Sequence, residues 1–322
     1  MKNFPKPKIL ISKCLGFEKC RYDGSVINDQ IIRQFQNYFD FITVCPEKEI
    51  GLGVPRDPVR LVKENEEKRL FQPATGKDVS FEMNSFIKNF LSNLDNIDGI
   101  ILKHRSPSCG LSSVKIYYGY EEKVNHFRGK GIFGEAINNK YNLHPVEDEG
   151  RLRNFMIREN FLTNVFTIAS FREIKQHPSM KNLVDFHSKN KFLFMAYNQE
   201  TMRKLGKIAA NPDKEDVVNI FNKYEQTMLT LLQNEPKFTA WINVLQHAFG
   251  FISDNLTSGE KQFFLNSIEE YRDERIPLSV LVKLLHSWAL RFNNEYLLNQ
   301  SFLEPYPLEL VEITDSGKGR NR

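Results

Sequence analysis

The chain is 322 residues long, with a formal net charge of +4 and four cysteines. That length suits one large domain or two ordinary ones with a sizeable core, and so small a positive excess permits a nucleic-acid partner without requiring one. The apolar run in "MKNFPKPKILISKC" is too short for a secretory leader, and no stretch approaches the ~18 apolar residues of a membrane span. A cytoplasmic location is therefore expected, where clustered cysteines more often serve metals or catalysis than disulfides.

In chain order, "KILIS" (8–12) reads as a buried strand and "VINDQIIRQFQNYF" (26–39) as a helix. "DFITVC" (40–45) is a second strand and "VSFEMNSFIKNFLSNL" (79–94) a long amphipathic helix. "IDGIIL" (97–102) gives a third strand, "GIFGEAINNKYN" (131–142) a helix and "LHPV" (143–146) a last short strand. Strands alternating with helices predict an α/β domain over 1–150, Rossmann-like and three-layered, with a mostly parallel sheet. After "EDEGRLRN" (147–154) nearly every segment has helical period, in about six helices with Pro178, Pro212, Pro236 and Pro277 at their boundaries. An all-α domain is expected over 151–312, then a polar, disordered tail over 313–322.

Placed on these strands, the cysteines become informative. Cys14 lies just past the first strand, Cys45 ends the second, and Cys109 sits in the loop "KHRSPSCG" after the third. Loops at the carboxyl ends of neighbouring parallel strands meet at one crevice, so three thiols distant in sequence are expected at one point. They suit zinc or an iron–sulfur cluster. The paired C-x-x-C knuckles of a zinc ribbon are absent, and three single-cysteine loops could hold a [4Fe–4S] cluster with one iron left open. The alternative is three inert, buried cysteines. Cys20 is left over, as a substrate-side thiol or a small buried residue.

Glu47 could act as a general acid/base, and Ser106 could hydrogen-bond the substrate or its attacking water. Ser108 stands beside Cys109; Arg56 and Arg60 either bind phosphate or line a solvated face. Asp23-Gly24 reads as a turn. In the helical half, Lys181, Lys189, Lys191, Arg203, Lys204 and Lys207 could contact RNA phosphates. His187, Phe194 and Tyr197 could stack on bases, but helical spacing explains them as core.

Together "ISKCLGFEKCRYDG", "CPEKEIGLGVPRDPVRLV" and "KHRSPSCG" resemble the thiouracil desulfidase family, over residues about 5–150. The segments "DEGRLRNFMIRENF", "LVDFHSKNKFLFMAYN", "RKLGKIAAN" and "NEYLLNQSFLEPYPLEL" resemble the YbgA-like helical domain. The fused arrangement is similar to bacterial desulfidases that remove the sulfur of 4-thiouridine from tRNA. The resemblance implies that Cys14, Cys45 and Cys109 ligate a [4Fe–4S] cluster and that Glu47 and Ser106 are catalytic, with Glu49 and Ser108 as near competitors. It also implies tRNA, or small thiolated uracil compounds, as the partner. Two further readings stay open: a desulfidase for free thiouracil or thiouridine nucleotides, and a zinc-stabilised RNA-binding protein without catalysis.

Overall fold

The computed structural model describes residues 3–65, 67–121 and 123–311; the tail expected over 313–322 lies outside the described residues. Two compact units are present, Met1–Ala169 with the chain from Glu309 onward, and Ser170–Leu308.

The first unit runs β1 (Lys8–Ser12), α1 (Gln30–Phe35), β2 (Asp40–Val44), α2 (Pro46–Glu49), β3 (Arg60–Glu64), β4 (Glu67–Gln72), β5 (Lys77–Asp78), α3 (Ser80–Ser92), β6 (Gly99–Leu102), β7 (Val114–Tyr117), β8 (His126–Gly129), α4 (Ile132–Lys140) and β9 (Val146–Asp148). A four-stranded sheet, ordered β2-β1-β6-β9, is parallel throughout. Its central strand explains the unbroken "ILI": Ile9, Leu10 and Ile11 are fully buried, as befits a parallel strand covered on both faces. Gly99 is required by close approach, since a Cβ there would lie 2.6 Å from Val165 Cγ1.

Three expectations change. The helix expected over 26–39 shrinks to α1, because Asp29 caps it, its carboxylate accepting from the N–H of Ile31 and Ile32 at 3.0 and 3.2 Å. The strand expected at 143–146 begins only at Val146; His144 is held in a turn to the Tyr141 carbonyl, and Pro145 has no N–H for the ladder. A whole second sheet, ordered β5-β4-β3-β7-β8 and antiparallel except for β3 with β7, was not anticipated. Its strands read as charged segments because one face is solvated; the other sends Leu61, Leu70, Val114 and Ile116 into a core shared with Leu10, Ile100, Met83 and Phe133.

Helix α5 (Phe155–Gln176) begins in the first unit and ends in the second. The second unit continues with α6 (Met180–Tyr197), α7 (Gln199–Ala210), α8 (Val217–Leu232), α9 (Phe238–Gly250), α10 (Ser258–Arg272), α11 (Leu278–Arg291) and α12 (Glu295–Leu298). The four prolines fall between helices as expected. All of α7 is additional, and the last expected helix, 277–298, is divided into α11 and α12. Asn198 separates α6 from α7: its backbone leaves helical geometry while its side chain accepts from the Thr201 N–H at 2.8 Å. The core is aromatic, with Phe171 stacked on Tyr224 at 5.6 Å and Phe249 on Phe264 at 4.6 Å. Among the described residues no helix is long and apolar enough to cross a membrane.

Candidate active site

The loops leaving β1, β2 and β6 enclose a cavity of about 460 Å³, lined by all four cysteines together with Ser12, Glu47, Arg56, Lys103, His104, Arg105 and Ser106. The strand ends are cross-tied, since Lys13 N–H donates to the Val44 carbonyl at 2.8 Å and Lys103 N–H to Ser12 Oγ at 2.9 Å. The thiols are free. Cys20, Cys45 and Cys109 are buried, and Cys14 is half-buried.

Each cysteine is placed by local backbone chemistry. Cys45 caps the short α2, its carbonyl accepting from Lys48 and Glu49 N–H at 3.0 Å each. Cys109 ends a tight loop in which Ser106 Oγ accepts from the Ser108 and Cys109 N–H groups at 3.3 and 3.1 Å. The start of α4 presses on that loop through two glycines. A Cβ on Gly131 would sit 2.6 Å from the Ser108 carbonyl oxygen, and one on Gly134 2.6 Å from that of Cys109. The cysteines also feel one another. Cys20 is pushed up to about 11, first by its hydrogen bond with the Cys14 thiol and further by burial. Cys45 rises through its contact with Cys20 and burial, and Cys109 through burial. Burial and mutual contact thus favour the neutral thiol, and a bound metal would favour the thiolate instead.

Glu47 is the best-anchored polar group of the cavity. Oε2 receives Arg56 through Nε at 3.0 Å and through Nη2, and Oε1 receives the Ser108 hydroxyl at 2.9 Å. Arg56 also donates to the carbonyls of Cys20 and Gly53 at 3.0 and 3.1 Å, and its side chain is only 4% exposed.

The other sequence-nominated residues separate clearly. Glu49 is exposed and outside the cavity lining. Ser108 is fully buried behind Glu47, so it touches the carboxylate and does not reach the cavity. Arg56, weighed between a phosphate contact and a solvated face, lines the cavity and gives its donors to Glu47 and two carbonyls. Arg60, weighed between the same two readings, lies on β3 outside the cavity lining, 4.9 Å over the Tyr117 ring, and donates to the Tyr120 and Glu121 carbonyls. Lys181, Lys189 and Lys191 on α6 and Arg203, Lys204 and Lys207 on α7 are all exposed. Phe194 is fully buried, and His187 Nδ1 meets the Tyr224 hydroxyl at 2.9 Å, so both belong to the core.

Sequence reasoning passed over Lys103, His104 and Arg105, although they open the very loop that carries Cys109. Their partners, Asp148 and Glu149, stand at the end of β9, where the sequence shows only a run of acids. His104 Nδ1 lies 3.0 Å from Asp148 Oδ2, and Lys103 Nζ pairs with Glu149. The signal available was position: both segments end parallel strands of one sheet.

A parallel α/β unit whose strand-end loops bring thiols, a clamped carboxylate and a hydroxyl to one cavity is an enzyme domain. Residues 9–149 match the family described as 2-thiouracil desulfurase, and residues 191–307 match a protein family of unknown function, DUF1722. The chain is 34% identical over 136 residues to the uncharacterized protein YbbK of Bacillus subtilis, covering 40% of this chain and 85% of that protein. It is 28% identical over 162 residues to the uncharacterized protein YbgA of Escherichia coli, covering 49% of this chain and 95% of that protein. A solved structure of the [4Fe-4S]-dependent thiouracil desulfidase TudS is similar at 29% identity and a TM-score of 0.36, over 46% of this chain and 93% of that one. The chain belongs to the 2-thiouracil desulfurase family, as a fusion with a DUF1722 domain, and its α/β unit is a carbon–sulfur bond-cleaving enzyme.

Proposed function

We propose that the protein is a cytoplasmic, non-redox desulfidase that depends on a [4Fe–4S] cluster and converts 4-thiouridine in tRNA to uridine with release of sulfide. The observation that carries this reading is the delivery of Cys14, Cys45 and Cys109 by three separate strand-end loops to one cavity beside Glu47 and Ser106.

The donor set fits such a cluster. Thiolates are its ordinary protein ligands, and the three are spread around a cavity. Cys14, Cys45 and Cys109 would hold the cluster, whose open iron supplies a thiophilic Lewis acid that favours sulfur over oxygen.

The chain's own residues supply the rest. Glu47, fixed from both sides by Arg56 and Ser108, takes a proton from the water that attacks the thiolated ring carbon. Ser106 Oγ already accepts two backbone N–H groups, so its hydroxyl proton remains to be donated to the substrate or the incoming water. Overall, water and the thiocarbonyl give a carbonyl and hydrogen sulfide, with no net electron transfer. The exposed cations of α6 and α7 offer a surface for the phosphates of a bulky RNA substrate.

The test is anaerobic purification, iron and acid-labile sulfide analysis, and sulfide detection with 4-thiouridine-containing tRNA, 4-thiouridine monophosphate and 2-thiouracil. Brown protein with a broad band near 400 nm, losing iron and activity in Cys109→Ala, is expected. Release only from the small compounds would move the substrate to free bases or nucleotides. Colourless, zinc-loaded protein that releases no sulfide from any of the three would overturn the reading.

A further inference from the structure

The cavity holds a second proton-transfer group besides Glu47. His104 follows β6 by two residues and lines the cavity wall with Cys109 and Ser106. Its Nδ1 is 3.0 Å from Oδ2 of Asp148, a carboxylate with no solvent exposure. Asp148 is itself fixed, Oδ1 accepting the Arg151 N–H at 2.8 Å. Glu149 holds the histidine's backbone, accepting its N–H at 2.8 Å. Gly150 closes the other side: a Cβ there would lie 3.7 Å from the His104 ring.

This arrangement fixes the ring's chemistry. A buried carboxylate on Nδ1 keeps the proton there and leaves the Nε2 lone pair available. Among the described residues no hydrogen bond is made by Nε2. A histidine oriented by a carboxylate, with its second nitrogen unused in an enzyme cavity, is the usual build of a general base.

We propose that His104 is the second base of the desulfidation, oriented by Asp148. This rests on the hydrolytic reading above, which leaves one proton unassigned. Water brings two protons. Glu47 takes the first as the oxygen–carbon bond forms. The resulting tetrahedral carbon carries a hydroxyl and the sulfur. For it to collapse, the hydroxyl must lose the second proton while the carbon–sulfur bond breaks and the electron pair leaves with sulfide. His104 Nε2 accepts that proton, and the imidazolium formed is stabilised by Asp148. Both protons, the one on Glu47 and the one on His104, then pass to the departing sulfide, which leaves as hydrogen sulfide and returns both bases to their starting states.

The charges around the ring are mixed: Asp148 and Glu149 from the end of β9, and Lys103 and Arg105 from its own loop, while the Arg151 guanidinium beyond β9 is turned to Glu147. Lys103 Nζ is itself bound to Glu149 and donates to the His104 carbonyl at 3.0 Å.

The experiment compares anaerobically prepared wild type, His104→Gln and Asp148→Asn, each assayed for iron content, KM, kcat and the pH dependence of kcat with a substrate the wild type desulfurises. His104→Gln should keep iron and KM within twofold and lose kcat by about a hundredfold, the ordinary scale of a general base. The limb of the wild-type profile in which rate rises as the base deprotonates should vanish. Asp148→Asn should lower kcat less and move that limb, because the ring survives but its tautomer is no longer fixed. If the buried substitution unfolds the protein, His104→Gln decides alone, since its ring is partly exposed. A His104→Gln enzyme with wild-type kcat and an unchanged pH profile would overturn the proposal and leave the desulfidase reading intact. A wild type inactive on every thiolated uracil would instead remove that reading.

Discussion

The two units handle polar groups in opposite ways. In the α/β unit the reactive groups are drawn inward to one cavity: Cys20 and Ser108 are fully buried, and Glu47 touches both Arg56 and Ser108. In the helical unit the interior is rich in aromatic rings, its few buried polar groups such as Asn190 and Gln300 are bonded to neighbours, and the cations named above stay outside. On the function proposed above, a site that tells sulfur from oxygen needs a fixed, water-poor geometry, whereas a surface that follows phosphates needs only reachable charge. Substitutions in the first should therefore act steeply and one at a time. Those in the second should add up in small steps.

Glu47→Gln tests the steep side and should show the largest effect. The amide keeps the shape but cannot take a proton, and its NH₂ would face the Arg56 guanidinium. A fall in kcat of about 10²–10⁴ is expected, with the iron content of the wild type. Retention of more than a tenth of the activity would show that the carboxylate serves only to hold Arg56.

The graded side is probed by replacing Arg203, Lys204 and Lys207, which share the exposed face of α7, with alanine together. Each lost phosphate contact should reduce the slope of log affinity against log salt by ~0.7–0.9. The triple variant should thus bind 4-thiouridine tRNA more weakly and with a slope lower by about 2. Its turnover of 4-thiouridine monophosphate should be unchanged. An unaltered salt slope would leave the stripe as ordinary solvated surface.

The same contrast governed what could be read from the sequence. The parallel sheet announced itself because buried parallel strands are unbroken apolar runs, as in "KILIS" and "GIIL". From those strands, the convergence of Cys14, Cys45 and Cys109 followed by topology alone. The second sheet stayed hidden because strands such as "RLVKE" and "EKRLFQ" bury one face and carry charge on the other, over lengths too short for a clear period. Side-chain partnerships were beyond reach for a different reason. That Arg56 clamps Glu47, that Ser108 stands behind it, and that Asp148 meets His104 across 44 positions are facts of tertiary contact. Nothing in local composition separates the clamped Arg56 from Arg60, four residues on, which opens β3 and packs on Tyr117 of β7.

Acid should reach both units through one histidine each, and here the expected effect is smallest. Burial lowers His144, in the turn after α4, to about 4, and burial aided by Lys191 lowers His187, on α6 and against Tyr224 of α8, to about 4. Both lie below the ordinary value of 6.5, so the unfolded chain binds the proton first. The stability they contribute is complete above about 6.5 and is lost as pH falls through the window down to about 4. His187 has the added constraint of the Tyr224 hydroxyl at 2.9 Å. His187→Phe should therefore lower stability by about 1–3 kcal/mol at pH 7.5, where that hydroxyl loses its partner. Between pH 6.5 and 4.5 the variant should lose less further stability than the wild type, because one of the two protonations no longer opposes folding. The measurement is thermal unfolding of both proteins across that range, followed by helical circular dichroism. Parallel curves for wild type and variant would mean that His187 stays neutral in neither state differently, and that the acid sensitivity resides in His144 and the carboxylates of the α/β unit.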